Sequence, residues 1–441
     1  MPAVEFPFRF SFEQARQQAK DLQRALCTNV PQALTRLQTY HPEGLKAVPT
    51  QLADAQLIVA REHGFESWAK LKAYAEPQSL YQSEMITEGI NDVIKGPWEG
   101  QVVMLHQLAT EALTNCDLTP TALKLAGHMG NFGYSDYGLA AITDGQAPSH
   151  LVTVHYTYDD KFSFDEMHRQ VASLCAWLFA LGRDTDLDIQ TPLADRSGAL
   201  CQRIDHRPDG PAAVCTVQRW ITGRDIVGDE FWEGWDRDGD RALVLEQKAV
   251  GKMGALLSQI HTHGRTWSRP DGFNRMRNDW EEDLSELEVR FWQKGDKSWQ
   301  KGDKDPQDLV LVRRALQEIA QTRKAQGELW GLTHGDFRVH NCVVDLDNYK
   351  AIDFDLCTLS FQFDDIGWFL VDIAEPALRQ AFLEGYRGVS SLAEDFLRLV
   401  EGALIAARMR RCAWGGRYPE RLVPECRMYL AGEDFLLRTP A

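Results

Sequence analysis

His334-Gly335-Asp336-Phe337-Arg338-Val339-His340-Asn341, followed by Ile352-Asp353-Phe354-Asp355, decides how the chain is read. An acid at 336 is followed by an amide at 341 and by a second acid at 353. The run from Cys342 to Ile352 reads as two short strands joined by an Asp/Asn turn, which returns Asp353 to the side of Asn341. Hard oxygen ligands at the base of a hairpin suit magnesium. The spacing is the one phosphoryl transfer needs: Asp336 to orient and deprotonate an attacking hydroxyl, Asn341 and Asp353 to fix a metal ion against nucleotide phosphates.

The same residues carry a resemblance. His-Gly-Asp, an Asn five residues after the Asp, then a hydrophobic residue and Asp-Phe-Asp, resembles the aminoglycoside/choline phosphotransferase family, which includes homoserine-kinase-like small-molecule kinases. Leu256 to His261 with Trp267 and Pro270 to Phe273 is similar to the helix and loop this family places upstream, and Phe382 to Arg387 to its C-terminal helix. Leu181 to Leu187 with Val217 to Arg224 is similar to its N-lobe and hinge, so the likeness spans residues 110–441. It implies an α+β, bilobal protein-kinase-like fold, with an antiparallel β N-lobe at 79–222 and a mostly helical C-lobe at 223–441. A small all-α module occupies 1–78. It also implies an ATP (or another NTP) and magnesium-dependent phosphotransferase acting on a hydroxyl of a small molecule. Asp336 is the base, and Arg338 stands where protein kinases carry a lysine aimed at the transferred phosphate. His334, the third candidate of the catalytic group, reads as shaping the loop through backbone bonds. Two alternatives stay open: a pseudokinase acting as a binding or regulatory protein, and a protein serine/threonine kinase.

In this family a strand carries a cation for the α- and β-phosphates, and a glutamate on the next helix holds it. Here His150 to Tyr156 puts Thr153 at the cation position and His155 next on the same face. Leu174 stands where the glutamate would be, within an apolar stripe of Phe164, Met167, Val171, Leu174, Leu178 and Leu181. Ser163 and Glu166 read as a capping box. Phosphates would then depend on magnesium, backbone amides and His155, Lys124 or Lys161. Phe132 to Gly138, with Ser135, Gly133 and Gly138, takes the place of the phosphate-covering loop. Val214 to Trp220 reads as a buried strand entering a linker, with Gln218, Trp220 and Ile221 as adenine contacts.

The net charge of −16 in 441 residues argues against a nucleic-acid or anionic-membrane binder and is easier to reconcile with a cationic or polyhydroxy acceptor. Asp364 and Asp365 are candidates to meet such a cation, or to cap a helix. Nine cysteines without Cys-x-x-Cys spacing are expected to be reduced thiols. The first residues lack an export signal and no span reaches transmembrane length without charges, so the expected location is cytoplasmic. Ser11 to Leu26, Pro31 to Leu37 and Leu52 to His63 have helical character, and Phe65, Trp68, Leu71 and Ala75 continue it. Leu52 to Trp68 resembles a short helical module found ahead of ankyrin-repeat and other bacterial domains. It reads either as a docking element for a protein partner or as a cap on the N-lobe. Residues 279–305 carry a polar repeat that builds no core, a lid or a solvated loop. His261 and His263, two apart on a helix, face different directions and receive no ligand role.

Overall fold

The computed structural model describes residues 12–42, 44–47, 51–62, 67–68, 71, 98–131, 134–145, 147–157, 163–205, 212–226, 245–276, 306–389, 395–413 and 421–438. Two compact units emerge: Met1–Met167 with Leu193–Trp220, and His168–Pro192 with Ile221–Ala441.

The first unit opens with helices α1 (Phe12–Cys27), α2 (Pro31–Tyr40) and α3 (Leu52–Glu62), close to their expected bounds, with Pro31 in the first turn of α2. They close a core of Ala19, Leu22, Leu26, Leu37, Ile58 and Val59, fastened by a bidentate pair of Arg36 with Glu62 at 2.5 Å. Gly64, Phe65 and Ala75 lie outside the described residues. Helix α4 (Trp98–Asn115) was not anticipated, although Leu105, Leu108, Ala109, Ala112 and Leu113 recur at helical spacing.

These residues cover one face of a five-stranded antiparallel sheet: β1 (Ala122–Asn131), β2 (Tyr134–Ile142), β3 (His150–Thr157), β4 (Gln202–Asp205) and β5 (Ala212–Arg219), in the order β1-β2-β3-β5-β4. Alternation sorts the side chains. Tyr137, Leu139, Val152, Val154, Tyr156, Cys215 and Val217 join the core with α4. Asp136, Ala140, Leu151, Thr153, His155, Thr216 and Gln218 belong to the opposite face. The expected phosphate-covering loop needs correction: residues 134–138 are already strand, paired with β1 from Gly127 to Asn131, and Phe132 and Gly133 lie outside the described residues.

Most of helix α5 (Phe164–Asp184) belongs with the second unit. Ser163 Oγ accepts the Glu166 N–H at 3.2 Å, the capping interaction read from the sequence. Leu174 is buried, packed in one core with Leu178 and Leu181. The remaining elements are β6 (Arg224–Asp225), α6 (Gln247–Thr266), α7 (Pro306–Lys324), β7 (Trp330–Thr333), β8 (Cys342–Asp345), β9 (Asn348–Ala351), β10 (Thr358–Phe361), α8 (Phe363–Leu370), α9 (Pro376–Arg387), α10 (Phe396–Ala413) and α11 (Leu422–Ala431). Strands β6, β8 and β9 form one small sheet, and β10 with β7 another. Helices α6 and α9 meet backbone to backbone, since a Cβ at Gly385 would overlap the Gly251 carbonyl. The 279–305 segment lies outside the described residues. Among the described residues no helix is long and apolar enough to cross a membrane. The described cysteines are free thiols, most of them buried.

Candidate active site

The hairpin places the catalytic-loop residues. Cys342 pairs with Ala351 at the open end of the β8–β9 hairpin, and just beyond it the Ile352 N–H donates to the Asn341 carbonyl at 2.9 Å. Asp353 follows with φ 64°, a left-handed conformation that costs an L-residue about 1 kcal/mol. Its N–H is held by Gln190 Oε1 at 2.9 Å. Asn341 and Asp353 are thereby brought side by side, as the sequence implied, on opposite shoulders of the hairpin.

Asp336 is buried and held at both oxygens. Trp368 Nε1 donates to Oδ1 at 2.5 Å and Asn341 Nδ2 to Oδ2 at 2.9 Å. Asn341 Nδ2 also donates to the Asp336 carbonyl at 2.8 Å. Both amide hydrogens of Asn341 are therefore spent on Asp336, and Oδ1 is left as an acceptor. That oxygen and the Asp353 carboxylate are hard oxygen donors of the kind magnesium takes from a protein, where its other positions are filled by water and substrate phosphates. The residues fit the ion.

His334 shapes the loop. Its Nε2 donates to the Ile352 carbonyl at 3.0 Å, and Nδ1 faces the Asp336 N–H at 3.4 Å. Burial pushes the imidazole below its ordinary titration range, so it is neutral, and its ring lies 4.3 Å from that of Phe354. Gly335 has φ 86° and a Cβ there would overlap the Leu356 carbonyl, so only glycine fits. Arg338 is fixed by Asp372 through Nε and Nη2 at 3.2 and 2.9 Å, with its guanidinium 5.5 Å from the Trp368 ring centre.

Asp364 and Asp365, read from the sequence as carboxylates for a cationic acceptor, are both buried and engaged within the fold, which corrects that expectation. Asp364 pairs with Arg323 and accepts from Ser360 Oγ at 3.0 Å. Asp365 accepts the His334 and Gly335 N–H groups at 2.8 and 2.9 Å and faces His261 Nε2 at 3.1 Å. The other nitrogen of His261 meets the Tyr386 hydroxyl at 2.8 Å. His263, by contrast, meets Trp177 Nε1 at 3.2 Å and Asp184 at 3.3 Å. The sequence reading missed Asp365, His261 and Gln190 as supports of the loop. It also missed Arg275, which ties the carbonyls of Gln170, Asp355 and Cys357 together at 2.6–3.2 Å.

The nucleotide candidates fall elsewhere in the chain. Thr153, His155 and Gln218 are buried on one face of the first unit's sheet, where Trp220 packs on Ala126, Ala140 and Leu151. Ile221 is buried at the start of the long segment of the second unit. Ser135 is paired with Tyr156 in the sheet register, and its side chain lies outside the described residues. Lys124 is exposed on β1, and Lys161 lies outside the described residues.

Residues 200–399 match the model of the phosphotransferase enzyme family. Among solved structures, the chain is similar to a microcompartment-associated aminopropanol kinase, at 22% identity and a TM-score of 0.50, over 74% of this chain and 94% of that one. It is also similar to an amicoumacin kinase in complex with AMP-PNP, Ca2+ and Ami, at 16% identity and TM-score 0.49, over 77% and 97% of the two chains. For a choline kinase from Cryptosporidium parvum Iowa II the values are 11% identity, TM-score 0.43, and 75% and 94%. No curated protein sequence matches. The family read from the catalytic motif is thus the one matched, and the fold is α+β and kinase-like with a helical segment at its N-terminus.

Proposed function

We propose that the protein is an ATP- and magnesium-dependent phosphotransferase that phosphorylates a hydroxyl of a small molecule, with Asp336 as the base. The observation that carries this reading is the fixing of one carboxylate by two donors. Trp368 and Asn341 each occupy one oxygen of Asp336, and each oxygen retains a lone pair for an incoming alcohol proton. Asn341 and Asp353 would hold the magnesium, which supplies charge neutralisation to nucleotide phosphates. Arg338, anchored on Asp372, stabilises charge at the transferred group. Thr153, His155, Gln218, Trp220 and Ile221 are the proposed nucleotide contacts.

Amino alcohols and polyols come first as acceptors because of the −16 net charge. The three N-terminal helices, with a core of their own, are proposed to engage a protein partner. A second reading, a kinase-shaped binding or regulatory protein, is favoured by one observation: the strand position for a phosphate-binding cation holds Thr153, and Leu174 is core.

The test is a screen of hydroxyl compounds for acceptor-stimulated ADP release, run beside Asp336→Asn. Transfer is expected to vanish in the variant while its melting temperature stays near the parent's. Transfer that survives the substitution removes the assigned base, and failure of Mg-ATP to bind in calorimetry favours the second reading.

A further inference from the structure

The buried face of the first unit's sheet joins His155, so far only one of the proposed nucleotide contacts, to an acid that none of the chemistry above uses. Asp136 on β2 and His155 on β3 are direct cross-strand partners, and Nδ1 of the imidazole meets Oδ1 of the carboxylate. Each is 3% exposed. Burying an acid against an imidazole in the interior of a small sheet carries a desolvation cost that their mutual hydrogen bond offsets only in part. Two buried polar atoms on the same face, Asp136 Oδ2 and Thr216 Oγ1, have no hydrogen-bond partner among the described residues. A ligand or its waters would complete such a face.

The geometry along the strand says which part of a ligand would meet the pair. Trp220 packs on Leu151, Ala140 and Ala126 at one end. His155 stands four residues further along β3 than Leu151, about 13 Å at the rise of an extended strand. Thr153 and Thr216, which pair across β3 and β5, lie between. An apolar platform, a short polar stretch and an ionisable pair in line reproduce the order base, ribose, phosphate.

We infer that His155, held by Asp136, is the phosphate-contacting cation of the nucleotide site, and that nucleotide binding takes up a proton on this imidazole. The inference rests on the nucleotide-dependent reading proposed above. An imidazolium has two N–H donors on opposite sides of one ring. Nδ1 serves the Asp136 carboxylate, and a proton on Nε2 creates the charge that a phosphate oxygen prefers. Asp136 is a positioning residue in this arrangement: it fixes the tautomer and the ring plane, and balances the charge.

Among the described strand residues, the nearest neighbours of the pair on this face are not ionisable, and Lys124 of β1 is exposed in register with Ala140, toward the Trp220 end. Strand β5 presents Val214, Thr216 and Gln218, none of them ionisable. Beyond it, Arg203 and Asp205 of β4 pair with each other at 3.3 Å and are exposed. The β1 residue opposite Asp136 is Met129, and His150 of β3, an even-numbered position, belongs to the alternate set with Val152 and Val154.

Calorimetry on the full chain tests this with Mg-ATP and adenosine as probes, in buffers of differing ionisation heat. For the wild type, proton uptake accompanies Mg-ATP binding and affinity falls as pH rises from about 6 to about 8. Adenosine shows neither effect. His155→Ala is expected to lose about tenfold or more in Mg-ATP affinity, with adenosine affinity kept. The neutral pair Asp136→Asn with His155→Gln preserves volume and hydrogen bonding, and is expected to lose the proton uptake. His155→Lys, a cation throughout this pH range, is expected to restore affinity and flatten its pH dependence. Undiminished Mg-ATP affinity in both His155→Ala and the neutral pair, or an equal fall for adenosine, overturns the inference while leaving the kinase reading in place. A wild type that binds no Mg-ATP overturns both.

Discussion

Asp365→Asn separates a loop support from a substrate ligand. In the native fold the Asp365 carboxylate accepts three contacts, from His334 N at 2.8 Å, Gly335 N at 2.9 Å and His261 Nε2 at 3.1 Å. An amide can keep its oxygen on the side shared by His334 and His261, but its NH2 then opposes the Gly335 N–H. One bond is lost and a buried donor is stranded, at about 1–3 kcal/mol, and the two remaining bonds fall from charged to neutral strength, about 1 kcal/mol each. The sum, about 3–5 kcal/mol, is a large part of a typical stability. For a unit of this size it lowers the melting temperature by on the order of 10 °C. Because His334 and Gly335 lead directly into Asp336, a base displaced by about 1 Å also costs on the order of 100-fold in kcat. The assay is thermal denaturation beside steady-state kinetics with the acceptor found by the screen, at permissive temperature. Unchanged melting temperature and kcat with a raised acceptor KM would refute this reasoning and return Asp365 to the acceptor.

Three further outcomes follow from neighbouring residues. Gly335→Ala meets both a left-handed φ of 86° and the Leu356 carbonyl, so it is expected to lose at least about 3 kcal/mol of stability and all measurable transfer; a soluble, active variant with the parent's denaturation curve contradicts the loop geometry. Gln190→Ala strands the buried Asp353 N–H, at about 1–3 kcal/mol, and is expected to raise the magnesium concentration for half-maximal rate by about tenfold. A magnesium titration that superimposes on the parent's removes Gln190 as a support for Asp353. His261 is pushed below the ordinary imidazole value of 6.5 by burial, against the opposing pull of Asp365. The unfolded chain therefore binds a proton there that the folded chain refuses, and stability falls as pH drops below about 6.5, by up to about 1.4 kcal/mol per unit. His261→Gln is expected to flatten the dependence of melting temperature on pH by about one proton, and equal slopes for the two proteins would count against a neutral His261.

What the sequence disclosed and what it hid divide by distance along the chain. The hairpin of β8 and β9 is local, and Asp336, Asn341 and Asp353 could be placed from one short stretch. Their supports come from far away: Gln190 reaches Asp353 over 163 residues and His261 reaches Asp365 over 104. No periodicity within one window reports such a pairing. Helix α4 was legible in its apolar spacing, yet the family likeness begins near residue 110 and gave no reason to look ahead of it. Asp364 and Asp365 were misread although the signal was present. Phe363, Ile366, Trp368, Phe369 and Leu370 surround them in one short helix, and a helix apolar on all sides is buried on all sides. Acids in such a helix have to be spoken for within the fold, and Arg323 and the loop amides at His334 and Gly335 do so.

The same logic explains why His155 was found and Asp136 was not. Alternation along β3 put His155 on the face of Thr153 from sequence alone, since a period of two needs only one strand. Its partner depends on the register of β2 against β3, and a slip of one residue would send Asp136 to the opposite face, beneath α4. The register is set by apolar residues on that other face, where Tyr137, Leu139, Val152 and Val154 must all meet α4. Burial on one side of the sheet therefore fixes the Asp136–His155 contact on the other. It follows that packing substitutions under α4, far from any nucleotide atom, will alter nucleotide affinity if they shift the strands and leave it untouched if they do not.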